Sequence, residues 1–490
     1  MPRLRPLALG LALAWAVLPA FAHARDATKV AAWNQALHDE RFRHMRLLDA
    51  DQRRALAHDY GLENLLPHHP DGNSIPVTNC ANSGAGSLRD VIAAAPSGAL
   101  IDASALTCGS ITLGSGEITI TQTDLSIVGP GRGRLRIAPK YGRVFAHSGT
   151  GTLTISGVTI AGGSVSGGDK AKGGCIYSGY GSIGLGNPFT VDDASTGVDV
   201  TGCRATADDG GSGLGGAVYA NGAVALTNST ITNSEAFAEN GFSAGGGVYS
   251  TSLSAKYSEI RGNTSSAPNG RGGGAYVYAF ADVVIDSSTI AGNFAYAQGG
   301  GFAGFSYVEQ QFDFRNSTIS GNSAHAAGGI LIFQIDESSV SYTNVYNSTI
   351  TANINLGYDP GAGVHAVTNL IDLESSILFG NLKGSSVPAD LDTTSATAVF
   401  GSGNIIGAHD GEVPEDTRTA NPLLGPLTDN GGRSHTHALR AGSPAINGGN
   451  NYSDFVNDQR GPGFARVIGP GPDIGAFEFD PDVIFRSGFD

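Results

Sequence analysis

The sequence predicts an all-β protein built as a right-handed, single-stranded parallel β-helix, and three observations carry that expectation. First, Ile231, Ile260, Ile290, Ile319, Ile350 and Leu378 recur 29, 30, 29, 31 and 28 positions apart, each ending a short strand-like segment. Second, a glycine cluster precedes a second short strand in every repeat, most clearly at Gly173-Gly174-Cys175-Ile176-Tyr177, Gly215-Gly216-Ala217-Val218-Tyr219, Gly245-Gly246-Gly247-Val248-Tyr249 and Gly272-Gly273-Gly274-Ala275-Tyr276. Third, 72 glycines stand against only 2 Met and 2 Trp, the composition of many tight turns over thin, repetitive packing. A period near 30 residues with two strands and no helical partner is one coil of a solenoid, not a βαβ unit. Roughly 9–11 such coils fit the repeating length.

At the N-terminus, Arg3 and Arg5, the apolar run Leu7 to Ala20 and the small-x-small triplet Ala20-Phe21-Ala22 read as a cleavable export signal over residues 1–22. Residues 23–74 are charged and carry Trp33, Leu37 and Leu48 at near-helical spacing, which predicts two short amphipathic helices. The β-helix is placed over 75–400, interrupted early by one short helix where Ser87 and Asp90 have capping-box spacing.

Stacked coils set equivalent side chains ~4.8 Å apart. Asn263, Asn293, Asn322, Asn353 and Asn381, each three positions after the apolar residue, are therefore expected to form an amide ladder. Ser229, Ser258, Ser288, Ser317, Ser348 and Ser376 are expected to form a hydroxyl ladder, with Cys203 in that column one coil earlier. Four cysteines in an exported chain can pair, and joining Cys80 to Cys108 and Cys175 to Cys203 is the simplest of three connectivities. A C-terminal capping module is placed over 401–480 and a tail over 481–490.

Several of these segments together resemble a known family. Thr78-Asn79-Cys80-Ala81-Asn82-Ser83-Gly84-Ala85-Gly86-Ser87-Leu88-Arg89, the Gly-Gly-x-[Ile/Val]-Tyr and Asn-Ser-Thr-Ile repeats, Leu427-Thr428-Asp429-Asn430-Gly431-Gly432, Gly442-Ser443-Pro444-Ala445-Ile446, Asp458-Gln459-Arg460-Gly461 and Asp473-Ile474-Gly475-Ala476-Phe477-Glu478 are similar to bacterial β-helix proteins of the polymorphic-outer-membrane-protein type. More narrowly, they resemble those carrying a choice-of-anchor Q domain. The resemblance covers about residues 75–480 and implies a secreted or surface-displayed protein of a Gram-negative-type bacterium, with no uniform activity attached to the family.

The formal charge of −15 disfavours nucleic acid, which calls for basic patches. No stretch after the signal has the length of a membrane span. Aligning the repeats on the apolar residue gives two columns expected to point outward. One reads Thr227, Lys256, Asp286, Arg315, Tyr346, Glu374; the other, two positions earlier, reads Ala225, Ser254, Val284, Asp313, Asn344, Asp372. As an exposed charged face these residues suit either coil register and solubility or a saccharide site. Lys256, Asp286, Tyr346 and Glu374 are then the candidate binding residues. Asp313, Arg315 and Asp372 are the candidate catalytic ones for a polysaccharide lyase or glycoside hydrolase. The first expectation is a structural, adhesive or glycan-binding protein whose partner is a polysaccharide or cell-surface glycan. Catalysis on the charged face is the alternative. No metal and no cofactor are called for: the Gly-Gly-x-Gly-x-Asp calcium turn is not repeated. Gly241-Phe242-Ser243-Ala244-Gly245 matches a nucleophile-elbow pattern but sits in a solenoid turn. Asn-Ser-Thr at 228, 316 and 347 reads as repeat packing before it reads as a glycosylation signal.

Overall fold

The computed structural model describes residues 74–482 apart from 189, 337–340, 358–360 and 394–396. The export-signal and two-helix readings of the N-terminal segment, and the tail beyond residue 482, fall outside the described residues. The body is a parallel β-solenoid: three long sheets of 12, 11 and 11 strands take one strand from each coil, and a shorter fourth sheet of 9 strands lies between the second and third.

One coil shows why these residues form these elements. Ser252–Lys256 is its first-sheet strand, with Leu253 and Ala255 buried and Lys256 turned outward, the period of two that a strand imposes. Tyr257 turns the corner at φ 50° into Glu259–Arg261 of the second sheet, and Gly262 turns the next at φ 64°. Thr264–Ser265 joins the fourth sheet, and after Gly272 the chain enters the third as Ala275–Ala279. The glycine clusters serve two needs at once. Gly245 sits at φ 65°, which a side chain resists, and a Cβ on Gly246 would strike the carbonyl oxygen of Gly273 in the next coil. The Asn of Asn-Ser-Thr occupies the first corner at φ 50° (Asn228), 52° (Asn316) and 44° (Asn347), a conformation asparagine tolerates. All three are buried, so none is available for glycosylation in the folded chain.

The interior is a continuous apolar column. Ile231, Ile260, Ile290, Ile319, Ile350 and Leu378 are paired in that order in the second sheet, all buried. The asparagines stack beside them: Nδ2 of Asn263, Asn293, Asn322 and Asn353 donates to Oδ1 of the next asparagine at 3.1, 2.9, 2.9 and 2.8 Å. Asn381 ends the run on the carboxylate of Asp390 at 2.7 Å. In the serine column each backbone N–H from Ser229 to Ser348 donates to the hydroxyl one coil on, as from Ser258 to Ser288 at 3.0 Å, and that of Ser376 ends the run on Asn404 Oδ1.

The expected place of Cys203 is corrected. Its N–H donates to Ser234 Oγ, and the Ser234 N–H in turn donates to Asn263 Oδ1, so Cys203 belongs to the asparagine column. The serine column meets Val198 instead, whose N–H donates to the Ser229 hydroxyl. An excursion between Leu185 and Val198 displaced the count. Both disulfides form as sequential pairs, Cys80–Cys108 with Cα atoms 6.5 Å apart and Cys175–Cys203 at 5.5 Å.

The short helix is Leu88–Ala94, with Ser87 capping it through the Asp90 N–H. Leu88 and Ile92 pack on the first coils. The C-terminal module starts with an antiparallel pair, Leu424–Thr428 with Thr436–Leu439. The chain from Arg433 onward hydrogen-bonds along the flank of six consecutive coils, not only at the open end: Arg433 reaches Asn228, His435 reaches Glu259 and Thr289, Gln459 reaches Thr289 and Thr318, Asn457 accepts from Asn316, Ala476 donates to Thr349, and Asn450 reaches Ser375.

Candidate functional site

The charged columns have the register expected of them. Thr227, Lys256, Asp286, Arg315, Tyr346 and Glu374 are successive partners in the first sheet, as are Ala225, Ser254, Val284, Asp313, Asn344 and Asp372. Exposure is where the structure corrects the reading. Asp313 and Asp372 are each 8% exposed and Tyr346 6%, because their neighbours on the same face close over them. Asp313 accepts from Asn344 at 2.7 Å and Gln311 at 2.9 Å. The Tyr346 hydroxyl donates to Asp372 at 2.8 Å. Glu374 accepts from Ser402 and from Asn450 of the C-terminal segment, both at 3.0 Å.

Charge pairing along the column is partial. Lys256 meets Asp286 at 3.5 Å, whereas Arg315 has a buried Nε without a hydrogen-bond partner. Burial, reinforced by neighbouring Asp372, pushes Glu374 up to about 7 against the donations of Asn450 and Ser402. Burial and then Asp372 hold the Tyr346 phenol well above its ordinary range, so it stays a donor. The first sheet therefore presents a bonded carboxylate cluster, not an open charged face.

A second surface, on the outer face of the third sheet, grows out of the Tyr of the Gly-Gly-x-[Ile/Val]-Tyr repeat. Tyr177, Tyr219, Tyr249 and Tyr276 stack ring on ring with centroids 5.6, 5.0 and 5.3 Å apart. Phe305 continues the stack at 5.3 Å although it stands one outward position further along its strand. The residue paired with Tyr276 is Ala303, whose small side chain leaves that space to the Phe305 ring. Phe333 comes next at 6.1 Å, and alongside, Tyr278 lies 5.5 Å from Phe280 and 5.2 Å from Tyr307.

Of the ladder's inner rings Tyr219, Tyr276 and Phe305 are buried and Tyr249 half-buried, but Phe280, Tyr307 and Phe333, from three successive coils, are 57%, 40% and 39% exposed. Phe333 also borders a groove of about 450 Å³, together with Arg271, Gln298, Phe305, Leu331 and His365. The Arg271 guanidinium sits 5.0 Å over the Phe305 ring, and His365 is held by Asp392 at 2.9 Å. Flat apolar faces with a guanidinium, an amide and an imidazole at their edge are the makings of a recognition surface. The tyrosines were visible in the repeat. Phe305 and Phe333 were not, because their coils carry weaker copies of it, yet strand alternation two residues on places both outward.

Ser243 and the polar side chains of the C-terminal segment serve the fold. Ser243 is buried and hydrogen-bonded to Ser265 at 2.8 Å, and among the described residues no histidine bonds to it. His437 donates from Nδ1 to the Gly425 carbonyl and meets the Ser320 hydroxyl at Nε2 inside the docked C-terminal segment, and burial holds it below the usual imidazole range. Asp458 pairs with Arg460, and Glu478 with Arg466. Among the described residues, no group of three or more His, Cys, Asp or Glu is placed to hold a metal ion, and no helix is long and apolar enough to cross a membrane.

Neither a family model nor a curated protein matches the chain. Among solved structures, the crystal structure of pectate lyase Pel9A is similar, with a TM-score of 0.42 and 14% identity over 84% of this chain and 98% of that one. So distant a likeness concerns the solenoid architecture and carries no argument about chemistry.

Proposed function

We propose that the protein is an exported, surface-associated solenoid that binds a glycan along the outer face of its third sheet. The observation that carries this reading is the aromatic surface: Phe280, Tyr307 and Phe333 are exposed on successive coils, and Phe333 also borders the groove. Exposed rings of this size in a contiguous patch mark contact sites. The C–H faces of a pyranose pack on such rings while its hydroxyls hydrogen-bond at the edge. Coil spacing of ~4.8 Å also approaches the length of one sugar unit, so successive coils can meet successive units. Two disulfides support export, since such bridges persist in oxidising compartments. The motif resemblance supports placement among surface proteins of the polymorphic-outer-membrane-protein and choice-of-anchor Q type.

The test is a panel of neutral and acidic oligosaccharides titrated calorimetrically against the wild type and Phe333→Ala. Binding that Phe333→Ala weakens by about tenfold, roughly 1.4 kcal/mol, supports the reading. No binding by any glycan in the panel overturns it.

A second reading, polysaccharide cleavage at Asp313, Arg315 and Asp372, is favoured by one observation: the neighbouring carboxyl of Glu374 is tuned to about 7, as acid–base groups are. Product release abolished by Asp372→Asn, with the melting temperature unchanged, would establish it.

A further inference from the structure

We infer that the groove on the third sheet selects an acidic saccharide, one bearing carboxylates at intervals along its length, and holds it parallel to the solenoid axis. The inference rests on the glycan reading and deepens it.

It comes from the column that borders the aromatic ladder. Lys172, Leu214, Ala244, Arg271, Gln298 and Ala326 are partners from coil to coil. The two cations in this column are held by rings, not by acids. Lys172 Nζ lies 4.4 Å over the Tyr219 ring and 3.0 Å from its hydroxyl, and Arg271 lies 5.0 Å over Phe305. Among the described residues neither forms an ion pair, in contrast to Arg143 with Glu117, Arg204 with Glu235 and Lys256 with Asp286. In a chain of net charge −15, two cations left without carboxylates along one seam form a local complement to an anion.

Geometry fixes the ligand class further. The Arg271 guanidinium, over the Phe305 ring and bonded to the Tyr276 hydroxyl, carries five N–H donors, and two parallel ones match a carboxylate. Three coil steps separate Lys172 from Arg271, ~14 Å at the backbone. One sugar cannot span that distance, whereas an oligomer can meet both cations and lay its rings against the exposed aromatics Phe280, Tyr307 and Phe333 at and beyond the coil of Arg271. Arg271, which borders the groove, supplies most of the charge selection, and Lys172 adds to it only for the longer chains.

The experiment compares a uronic-acid hexasaccharide with the same hexasaccharide carboxyl-reduced to the neutral sugar, so that only charge differs. Wild-type protein is expected to bind the acidic form about tenfold more tightly at low ionic strength, with the difference shrinking as salt is added. Arg271→Gln should erase that preference, bringing the acidic form's affinity down to that of the neutral form, and Phe333→Ala should weaken both sugars alike. Lys172→Gln should cut the affinity for the hexasaccharide but not for a disaccharide. Unchanged melting temperatures of the three variants exclude misfolding. Equal affinity for the two hexasaccharides, or a preference that survives Arg271→Gln, overturns the inference and leaves the glycan reading standing. Absence of binding to either overturns both.

Discussion

Glu374 shows how much a single side chain depends on what surrounds it. In the sequence it ends an outward column; in the fold it lies under Asn450 and beside Asp372, and its pKa rises to about 7. A carboxyl whose folded pKa exceeds its unfolded value of ~4.5 binds its proton more firmly in the native state, so its stabilisation is complete below ~4.5 and is lost as pH rises through about 7. The loss is on the order of 3 kcal/mol at most. Melting temperatures of the wild type should therefore fall between pH 4.5 and 7 relative to Glu374→Gln, which keeps the hydrogen-bonding shape without the charge. A pH-independent difference between the two proteins would contradict the burial argument. Asp390 and Asp473 are also raised by burial, so the comparison with the variant, not the wild-type curve alone, isolates Glu374.

At the scale of the element, the Asn-Ser-Thr-Ile repeat divides its labour residue by residue. Asn turns the corner, Ser lends its hydroxyl to the ladder, and Ile fills the interior; the roles of Ser and Ile were readable from period and alternation, whereas the corner role of Asn emerged only with the fold. Thr289, Thr318 and Thr349 face outward and receive Gln459 and Ala476 of the C-terminal segment. No local signal announced that role, since an outward threonine in a strand ordinarily needs no partner. The asparagine ladder makes a sharper claim. Asn322 donates to Asn353 and to the Ile290 carbonyl and accepts from Asn293, all buried. Asn322→Ala should cost about 1–3 kcal/mol in chemical denaturation, because partners above and below lose their bonds together. Asn451→Ala should cost less, as the Asn451 side chain bonds to Phe455 within its own turn. Equal costs would mean that the ladder adds nothing beyond an ordinary turn.

Across the whole molecule, a solenoid is stabilised chiefly between neighbouring coils, and the C-terminal segment adds a contact of longer reach. Its shape rests on a buried knot. Arg466 pairs with Glu478 at 2.8 Å and donates to the carbonyls of Gly475 and Asp473, with both charged side chains fully buried. Arg466→Met strands the Glu478 carboxylate and should cost about 3–5 kcal/mol, whereas adding Glu478→Leu should recover part of that loss. Hydrogen exchange should then quicken at Thr349–Thr351 and Ile377–Phe379, the strands this segment covers. Full protection of those strands in the single variant would show that the segment is not what shields them.

The sequence by itself determined the coil. Its period, the interior isoleucines, the corner glycines and the amide ladder are local or nearest-neighbour matters, and each coil repeats the same physical problem in the same letters. The register of the charged columns came from the same count, which failed where an excursion shifted Cys203; the disulfide pairing was only the simplest of three connectivities. Tertiary structure decided what lies on the outside. Whether Asp313 and Asp372 are exposed depends on amides and a phenol from adjacent coils, and whether Thr318 is a free surface depends on a segment more than a hundred residues away. The aromatic seam crosses from one column to another at Ala303, so no single repeat position spells it out. Interiors of solenoids are written by periodicity, but their surfaces are made by side chains whose neighbours lie far along the chain.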